Sequence, residues 1–547
     1  MDFFTSVRAV LPRWGVLATL CLGAAAVPSQ AQTAPTWAAV RRLPAAASTG
    51  FSSAESIAVA ADGSQYVSGR FAGSFTLGSI TMTGSTNTGH LYLAKYSAAG
   101  AVLWATKLDA GTQQVHAKVA IDATGNAYLA GDFYNSLTLG NTTLTATVSS
   151  AGNALDAFLV KYDAQGVQQW VRQAVAGGVG NTGVAFLYGV ATDASGNVTI
   201  AGDFLNNVSF GGTPLTGGGV YLYRFSPTGT LLLSRRVSDD GYLNDLALDG
   251  AGNAYLTGGA YSNTSFGGIV PPNAGSGDVF LCKLNAAGTV QWVQTAGGPD
   301  DDAGTALALD GAGNAVVGGF YASDRYVARF TAQGAPVWTR RIAGPANGYY
   351  PINGVVYDGR GGFLVTGRLV GTALFGATTL ASTTSAAYVV RYDGQGTAVW
   401  AGQTVNVGTN DSSGGYALAA DAAGNTYFAG YAVGSVQFGT LPVSTGGSDA
   451  VVARLTAGSV LAARTATAEQ PLTAFPNPAA GSTTLQLPAG GGRLVFLDAL
   501  GRPVREQALP TEAGPYAVSL SGLAAGLYRV RALLNNGQVA STPLDVR

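Results

Sequence analysis

The sequence predicts an all-β protein: seven repeated four-stranded units, followed by a separate, smaller β domain. Three observations lead there. A ten-residue phrase recurs seven times, at spacings of 48 to 71 residues. A second phrase, ending in Trp, follows it in step. The composition joins 78 Gly to 47% hydrophobic and only 11% charged residues, which argues against helices and against disorder and allows a large core.

The chain opens on a segment that reads as an address. Arg8 and Arg13 precede the apolar run "WGVLATLCLGAAAV", and small residues end at Ala31, so residues 1–31 are expected to be a secretory signal peptide. Cys21 follows Leu20 where a lipid-attachment site wants a small residue, so lipidation is rejected. After cleavage Cys282 is the one remaining cysteine and no intramolecular disulfide is possible; it alternates within a strand as a buried small hydrophobe. No later stretch is apolar for the ~18 residues that a spanning helix needs.

The first phrase reads "AADGSQYVSG" from Ala60, "DATGNAYLAG" from Asp122, "DASGNVTIAG" from Asp193, "DGAGNAYLTG" from Asp249, "DGAGNAVVGG" from Asp310, "DGRGGFLVTG" from Asp358 and "DAAGNTYFAG" from Asp421. The second ends at Trp104, Trp170, Trp292, Trp338 and Trp400, with Leu233 in the Trp slot of the third copy. Each copy holds four strand-like runs. In the second copy they are "HAKVAID", "NAYLAGDF", "DAFLVKY" and "VQQW". Short Gly turns join the first pair and the last pair as hairpins, so the long link after each Trp leads to the next unit. The expected order is a small-residue strand innermost, then a Tyr strand, a Lys/Arg strand and an outer Trp strand.

The ends of the array fit a closed ring. The seventh copy stops at "VVARLTAGSVLAA" without a Trp strand, and "WAAVRRL" from Trp37 is a Trp strand with no unit before it. An N-terminal strand completing the last unit hides the open edge, as in a seven-bladed β-propeller. An open solenoid would leave both ends unexplained. The patterns D-x-x-G-N-x-Y-x-x-G and D-A-F-x-x-K-Y-x-x-x-G-x-x-x-W, over residues 37–458, resemble the bacterial seven-bladed β-propeller repeat family. The resemblance implies the fold and no common catalytic residue.

A polar, Ala-rich linker over 459–471 separates residues 32–458 from the tail, 472–547. Alternating runs punctuated by Gly and Pro predict a small β-sandwich there. The tail also carries Phe475-Pro476-Asn477-Pro478, Leu497-Asp498 with Gly501 and Val504, and Leu520-Ser521-Gly522-Leu523 with Gly526 and Tyr528. With these motifs it resembles the C-terminal sorting domain of type IX secretion substrates. That resemblance implies outer-membrane export, with the secretion machinery as partner, and a final location in the medium or on the cell surface.

The chemistry is sparse. Each repeated Asp is expected to cap its own turn, because a Ca²⁺ site would need more oxygens than one carboxylate per turn supplies. The acidic triplet Asp300-Asp301-Asp302 reads as a solvated loop. Glu stands at 55, 469, 506 and 512 only, so the repeats from Ser56 to Ala468 hold none, and the two histidines, His90 and His116, lie in no catalytic motif. His90 reads as structural or exposed. No cofactor or metal is expected. Net charge is −1 without a basic run, which leaves nucleic acid no footprint. Two functions remain: a monomeric secreted binding or adhesion module for a glycan or protein, or a carbohydrate-active hydrolase working through Asp pairs. Either site is expected on the long-link face, among His116, Phe186, Asp239, Tyr242, Asp300, Asp301, Tyr349, Tyr350 and Asp411.

Overall fold

The computed structural model of the chain describes residues 35–45, 50–86, 89–110, 116–147, 155–177, 183–344, 350–457, 470–498, 503–535 and 539–547. The signal peptide, most of the linker, Tyr349 and Gly501 lie outside them. Among the described residues there are strands and no helix. Two compact units emerge, Ala34–Gly458 and one that covers the described residues from 470 onward.

In the larger unit the repeat grammar becomes strand pairing. In the second copy Ala117–Ile121, Ala127–Tyr134, Leu155–Tyr162 and Gln168–Gln173 pair consecutively and antiparallel. The same order recurs in Tyr242–Leu248, Ala254–Ala260, Asp278–Leu284 and Val290–Ala296, and again from Asp302–Leu309 to Pro336–Ile342. The first strands lie side by side in sequence order. The last of them, Ser412–Ala420, lies against the first, Phe51–Val59.

The repeated Asp does what its turn requires. Asp122 Oδ1 accepts the backbone N–H groups of Thr124 and Asn126 at 3.0 Å each, and Oδ2 accepts Asn126 Nδ2 at 2.7 Å. Gly125 sits at φ 81°, where a side chain would be strained. The same carboxylate contacts hold at Asp193, Asp249 and Asp310.

One contact joins neighbouring copies. The Lys or Arg of the third strand donates to a carbonyl in the second tight turn of the next copy: Lys95 to Ala164 O at 3.1 Å, Lys161 to Pro227 O at 2.9 Å, Arg224 to Ala286 O at 2.8 Å, Lys283 to Ala332 O at 3.2 Å and Arg329 to Gly394 O at 2.7 Å. Trp104, Trp170 and Trp338 send their indole N–H to the same carbonyls at 3.0 to 3.1 Å. The Lys side chain crosses the Tyr opposite it on the second strand, with Nζ 5.0 Å from the Tyr66 ring, 5.3 Å from Tyr128 and 4.7 Å from Tyr255.

Two expectations need correction. Several links after the Tyr strands, expected on the irregular long-link face, are hairpins: Ser74–Leu77 pairs with Ile80–Thr83, and Ser136–Leu139 with Thr142–Thr145; in the fourth copy residues 261–277 form no named strand. In the sixth and seventh copies the hairpin is continuous with its sheet, through Phe363–Phe375 with Thr378–Tyr392 and Thr426–Phe438 with Leu441–Leu455. Their alternating apolar residues, such as Phe75, Leu77 and Leu137, are buried in the core. The second correction concerns Trp37. Trp37–Leu43 does pair with Leu441–Leu455, but Arg454 faces Ala39, whereas Lys161 faces Trp170. The Trp slot of this strand therefore holds Ala39. Trp37 is displaced by two residues and packs edge-on against Phe428 and Phe438, with centroids 5.7 and 5.1 Å away.

The smaller unit stacks a five-stranded and a three-stranded sheet around Leu485, Leu494, Phe496, Val530 and Leu544. Cys282 is wholly buried in the larger unit.

Pairing by Trp37–Leu43 makes a direct prediction. Trp37→Ala is expected to lower stability by about 2–3 kcal/mol, read from chemical denaturation, and a chain beginning at Pro44 is expected to melt earlier still or aggregate. A chain from Pro44 that melts like the parent would show that this strand does not protect the edge.

Candidate functional site

The innermost strands were expected to be filled by small residues, and mostly they are. The exceptions share a place. In five copies the first strand carries one extra residue opposite the second strand, at Glu55, Asn244, Thr305, Asn353 and Tyr416. Tyr188 occupies the same position between Val184–Ala185 and Gly189–Thr192. Such a bulge re-aims a side chain. The glycine that ends the Tyr-strand phrase answers to close approach of the first strand, with or without a bulge: a Cβ on Gly131 would stand 1.9 Å from His116 O, and one on Gly69 1.9 Å from Ser53 O.

Several of these side chains brace the neighbouring strand. Asn244 Nδ2 donates to Gly304 O and Asn353 Nδ2 to Gly415 O, each at 2.8 Å, and the Thr305 hydroxyl donates to Ile352 O. Others line a pocket of about 300 Å³ that Glu55, Arg70, His116, Lys118, Tyr188, Asn353 and Tyr416 share. The volume lies at the small end of the range of about 300–1,000 Å³ typical of small-molecule sites.

The charges in the pocket are organised. Glu55 Oε1 accepts Arg70 Nε at 2.6 Å and Ser53 Oγ at 2.8 Å, and Oε2 lies 3.7 Å from His116 Nδ1. Burial favours a protonated Glu55, but His116 and Arg70 outweigh it and hold the carboxyl below its ordinary range. The bond to Glu55 in turn raises His116. Lys118 Nζ pairs with Asp245 Oδ1 at 2.7 Å. Beside the pocket, burial pushes the Asp132 carboxyl up to about 6 and that of Asp203 up to about 7. The Tyr416 phenol is raised to about 12, mainly by burial.

Of the residues singled out from sequence, His116 lines this pocket. Phe186 stacks on Tyr188, with centroids 5.9 Å apart. Tyr350 lies within 6 Å of two guanidinium groups. The others are placed elsewhere. Asp239 Oδ1 accepts Ser265 N at 2.7 Å, Tyr242 packs near Tyr261 with centroids 6.0 Å apart, and Asp411 accepts the Gly408 N–H. Asp300 and Asp301 are exposed, while Asp302 is buried and accepts backbone N–H groups from Gly298 and Ala322. His90 is buried, with Nδ1 3.0 Å from Asp109 and Nε2 accepting Ser85 N. Glu55 was set outside the repeats by starting them at Ser56; its strand begins at Phe51.

In the tail, Asn477 ties the end of the chain: Nδ2 donates to Pro543 O at 2.8 Å and Oδ1 accepts Asp545 N at 2.9 Å. Pro476 O accepts Thr483 Oγ1, Gly522 takes φ 81°, and the Tyr528 hydroxyl donates to Ala524 O. Residues 473–542 match the family described as the secretion system C-terminal sorting domain. The tail is a secretion sorting domain. It implies export to the medium or cell surface and an interaction with the secretion machinery. Pro478 and Leu523 of its motifs also lie in this stretch, as does Asp498.

Likeness elsewhere is weaker. An uncharacterized WD repeat-containing protein of Acanthamoeba polyphaga mimivirus is 30% identical over 128 residues, 23% of this chain and 9% of that protein. The chain thus spans under a tenth of that curated relative. PorZ of Porphyromonas gingivalis, a surface component of its type IX secretion system, aligns over 90% of this chain and 70% of its own at 13% identity and a TM-score of 0.32. A virginiamycin B lyase from Staphylococcus aureus aligns over 76% and 99%, at 8% identity and 0.38. The Neurospora crassa Pan2 WD40 domain aligns over 78% and 97%, at 9% and 0.37.

Asp203 carries a testable consequence. In the unfolded chain it ionises near pH 4, whereas the folded protein holds its proton until about pH 7. Folding therefore retains a proton between those limits, and stability falls as pH rises through them. Asp203→Asn removes this loss and keeps an acceptor for Leu243 N–H, now 3.2 Å away. The variant is expected to melt several degrees above the parent at pH 8 and close to it at pH 3.5 in scanning calorimetry. An equal difference at both would contradict it.

Proposed function

We propose that residues 32–458 form a seven-bladed β-propeller closed by Trp37–Leu43, and that it is a binding module delivered to the cell surface or medium through type IX secretion. The ligand is a polar group, a glycan unit, held in the pocket between the first strands. One observation carries the reading: bulged residues from separate copies, Glu55, Tyr188, Asn353 and Tyr416, meet at one pocket. Variable side chains on a repeated scaffold are how such folds acquire a site. The pairing of Trp37–Leu43 with the last copy, and the contact of Ser412–Ala420 with Phe51–Val59, support closure.

A second reading has its own support. Glu55 kept ionised near Asp132, whose carboxyl is raised, is the kind of divergence that separates a base from an acid in glycoside hydrolysis. An array of neutral and acidic oligosaccharides, scored for retention and for new reducing ends, separates the two. Retention without release is expected. Tyr188→Ala and Tyr416→Ala are expected to weaken retention at least ~10-fold, by loss of aromatic stacking, with little change in melting temperature. Alanine substitutions at Asp300 and Asp301 are expected to leave retention unchanged. If no glycan is retained, the pocket reading fails; release of reducing ends would favour the hydrolase.

Export is tested separately. A chain ending at Ala463 is expected to fold and keep its ligand yet stay in the periplasm. Residues 460–547, fused behind a reporter that carries a signal peptide, are expected to take it to the surface or medium. Normal export of the shortened chain would leave the tail without this role.

A further inference from the structure

The pocket wall beside Tyr416 leads to two guanidinium groups that no carboxylate neutralises. Arg368 belongs to Phe363–Phe375, and its side chain runs past Gly414, where an added Cβ would meet its Cγ and Cδ at 2.8 Å. Gly414 stands two residues before Tyr416 on the same first strand. Arg325 lies behind it, wholly buried, and donates Nη2 to Arg368 O at 3.0 Å. Its Nε and Nη1 have no hydrogen-bond partner. Tyr350 receives both groups, with Arg325 Cζ 5.9 Å and Arg368 Cζ 5.8 Å from its ring centroid.

Three half-buried arginines have a carboxylate: Arg70 has Glu55, Arg329 has Asp310 and Arg391 has Asp358. Arg224, buried like Arg325, has none, but its Nε and both terminal nitrogens donate to Thr199 Oγ1, Ala286 O and Gly252 O. Among the described residues Arg325 and Arg368 form no such pair. An aromatic face offsets only part of the cost of taking a guanidinium out of water. A buried charge with unmade hydrogen bonds calls for an anion.

We propose that the pocket's ligand carries a carboxylate, as an acidic sugar does, and that Arg368, backed by Arg325, seats it while the sugar lies against Tyr416. The inference rests on the reading of this unit as a binding module and adds the charge of what it binds. A guanidinium fork matches a carboxylate's two oxygens. The rest of the lining suits hydroxyl groups: Glu55 accepts, Asn353 and His116 offer polar atoms, and the tyrosines offer flat faces. Apolar walls for a peptide side chain are limited to Ala117 and Leu187.

Calorimetric titration of the full chain tests this with three probes: trigalacturonate, its methyl ester and triglycine. The acid is expected to bind at least ~10-fold more tightly than the ester, a difference of about 1.4 kcal/mol. Arg368→Gln is expected to abolish that preference while leaving ester binding in place. Arg325→Met, which removes the uncompensated charge, is expected to melt no lower than the parent and to lose the rise in melting temperature that trigalacturonate gives it. Equal affinity for acid and ester overturns the carboxylate seat but leaves the binding-module reading intact, since a neutral glycan is then bound. Preference for triglycine overturns the acidic-sugar assignment. Failure of all three to bind overturns the inference; retention of a neutral glycan on the array would still uphold the module.

Discussion

The larger unit depends on a cation that crosses from one repeat to the next. A Lys or Arg on the third strand passes over the Tyr of its own sheet and ends on a turn carbonyl of its neighbour, as Lys161 does on Pro227 O. The indole of Trp170 reaches the same oxygen from the outer strand. A carbonyl has two lone pairs, and this one gives both to the preceding repeat. A charged donor in a half-buried place contributes more than an ordinary hydrogen bond. The Tyr128 hydroxyl adds a further tie, to Gly196 O at 3.1 Å in the other tight turn. Tyr, Lys or Arg, and Trp are therefore three parts of one junction, which is why they recur together.

Because the junction uses the tight-turn end of the sheet in five copies, the rest of the first strands is free to vary. There the first strands bulge, and the extra residue differs from copy to copy: Glu55, Tyr188, Asn244, Thr305, Asn353, Tyr416. Asn244 and Thr305 brace the next strand, Glu55, Tyr188 and Tyr416 face the pocket, and Asn353 does both. The junction contacts and the pocket thereby fall on different parts of the same sheets. A substitution at Tyr188 alters the pocket without touching a junction.

Much of this was legible from sequence, and the reason is local chemistry. Asp-x-x-Gly-Asn specifies a turn from within itself, since Asp122 caps it and Gly125 supplies the backbone angle. Strand order followed from the lengths of the links. The missed features depend on packing that no local motif specifies. The hairpins after the Tyr strands are short: Thr76 and Thr81 face outward while Phe75 and Met82 look inward, too few residues for alternation alone to mark a strand pair. Glu55 was discounted as preceding the repeats, although a lone Glu in an Ala- and Ser-rich strand, fourteen residues before the phrase-ending Gly69, was the visible trace of the bulge. Nothing in Arg325 or Arg368 as letters distinguished them from the arginines that are paired. That difference exists only in the list of their neighbours.

The junction between the last and first copies shows what the repeated contact does by being altered. There the Trp slot holds Ala39, and a cavity of about 400 Å³ opens among Ala39, Gln65, Ala98, Tyr427 and Arg454. Arg454 stands in the register of the Lys and Arg donors, yet its Nε has no partner. Arg41, two residues beyond the slot, takes over. Its guanidinium lies 4.0 Å above the Tyr96 ring and donates to Gln65 Oε1 at 2.7 Å. Arg172 and Arg340, two residues beyond Trp170 and Trp338, donate to Gly229 O and Gly396 O of the following turn, so Arg41 reuses a position that other junctions already employ. A strand that joins from the far end of the chain cannot form its contacts until the last copy exists. A junction carried by one long, adaptable Arg, in place of a large rigid indole, suits the place where the two ends of the array must find each other.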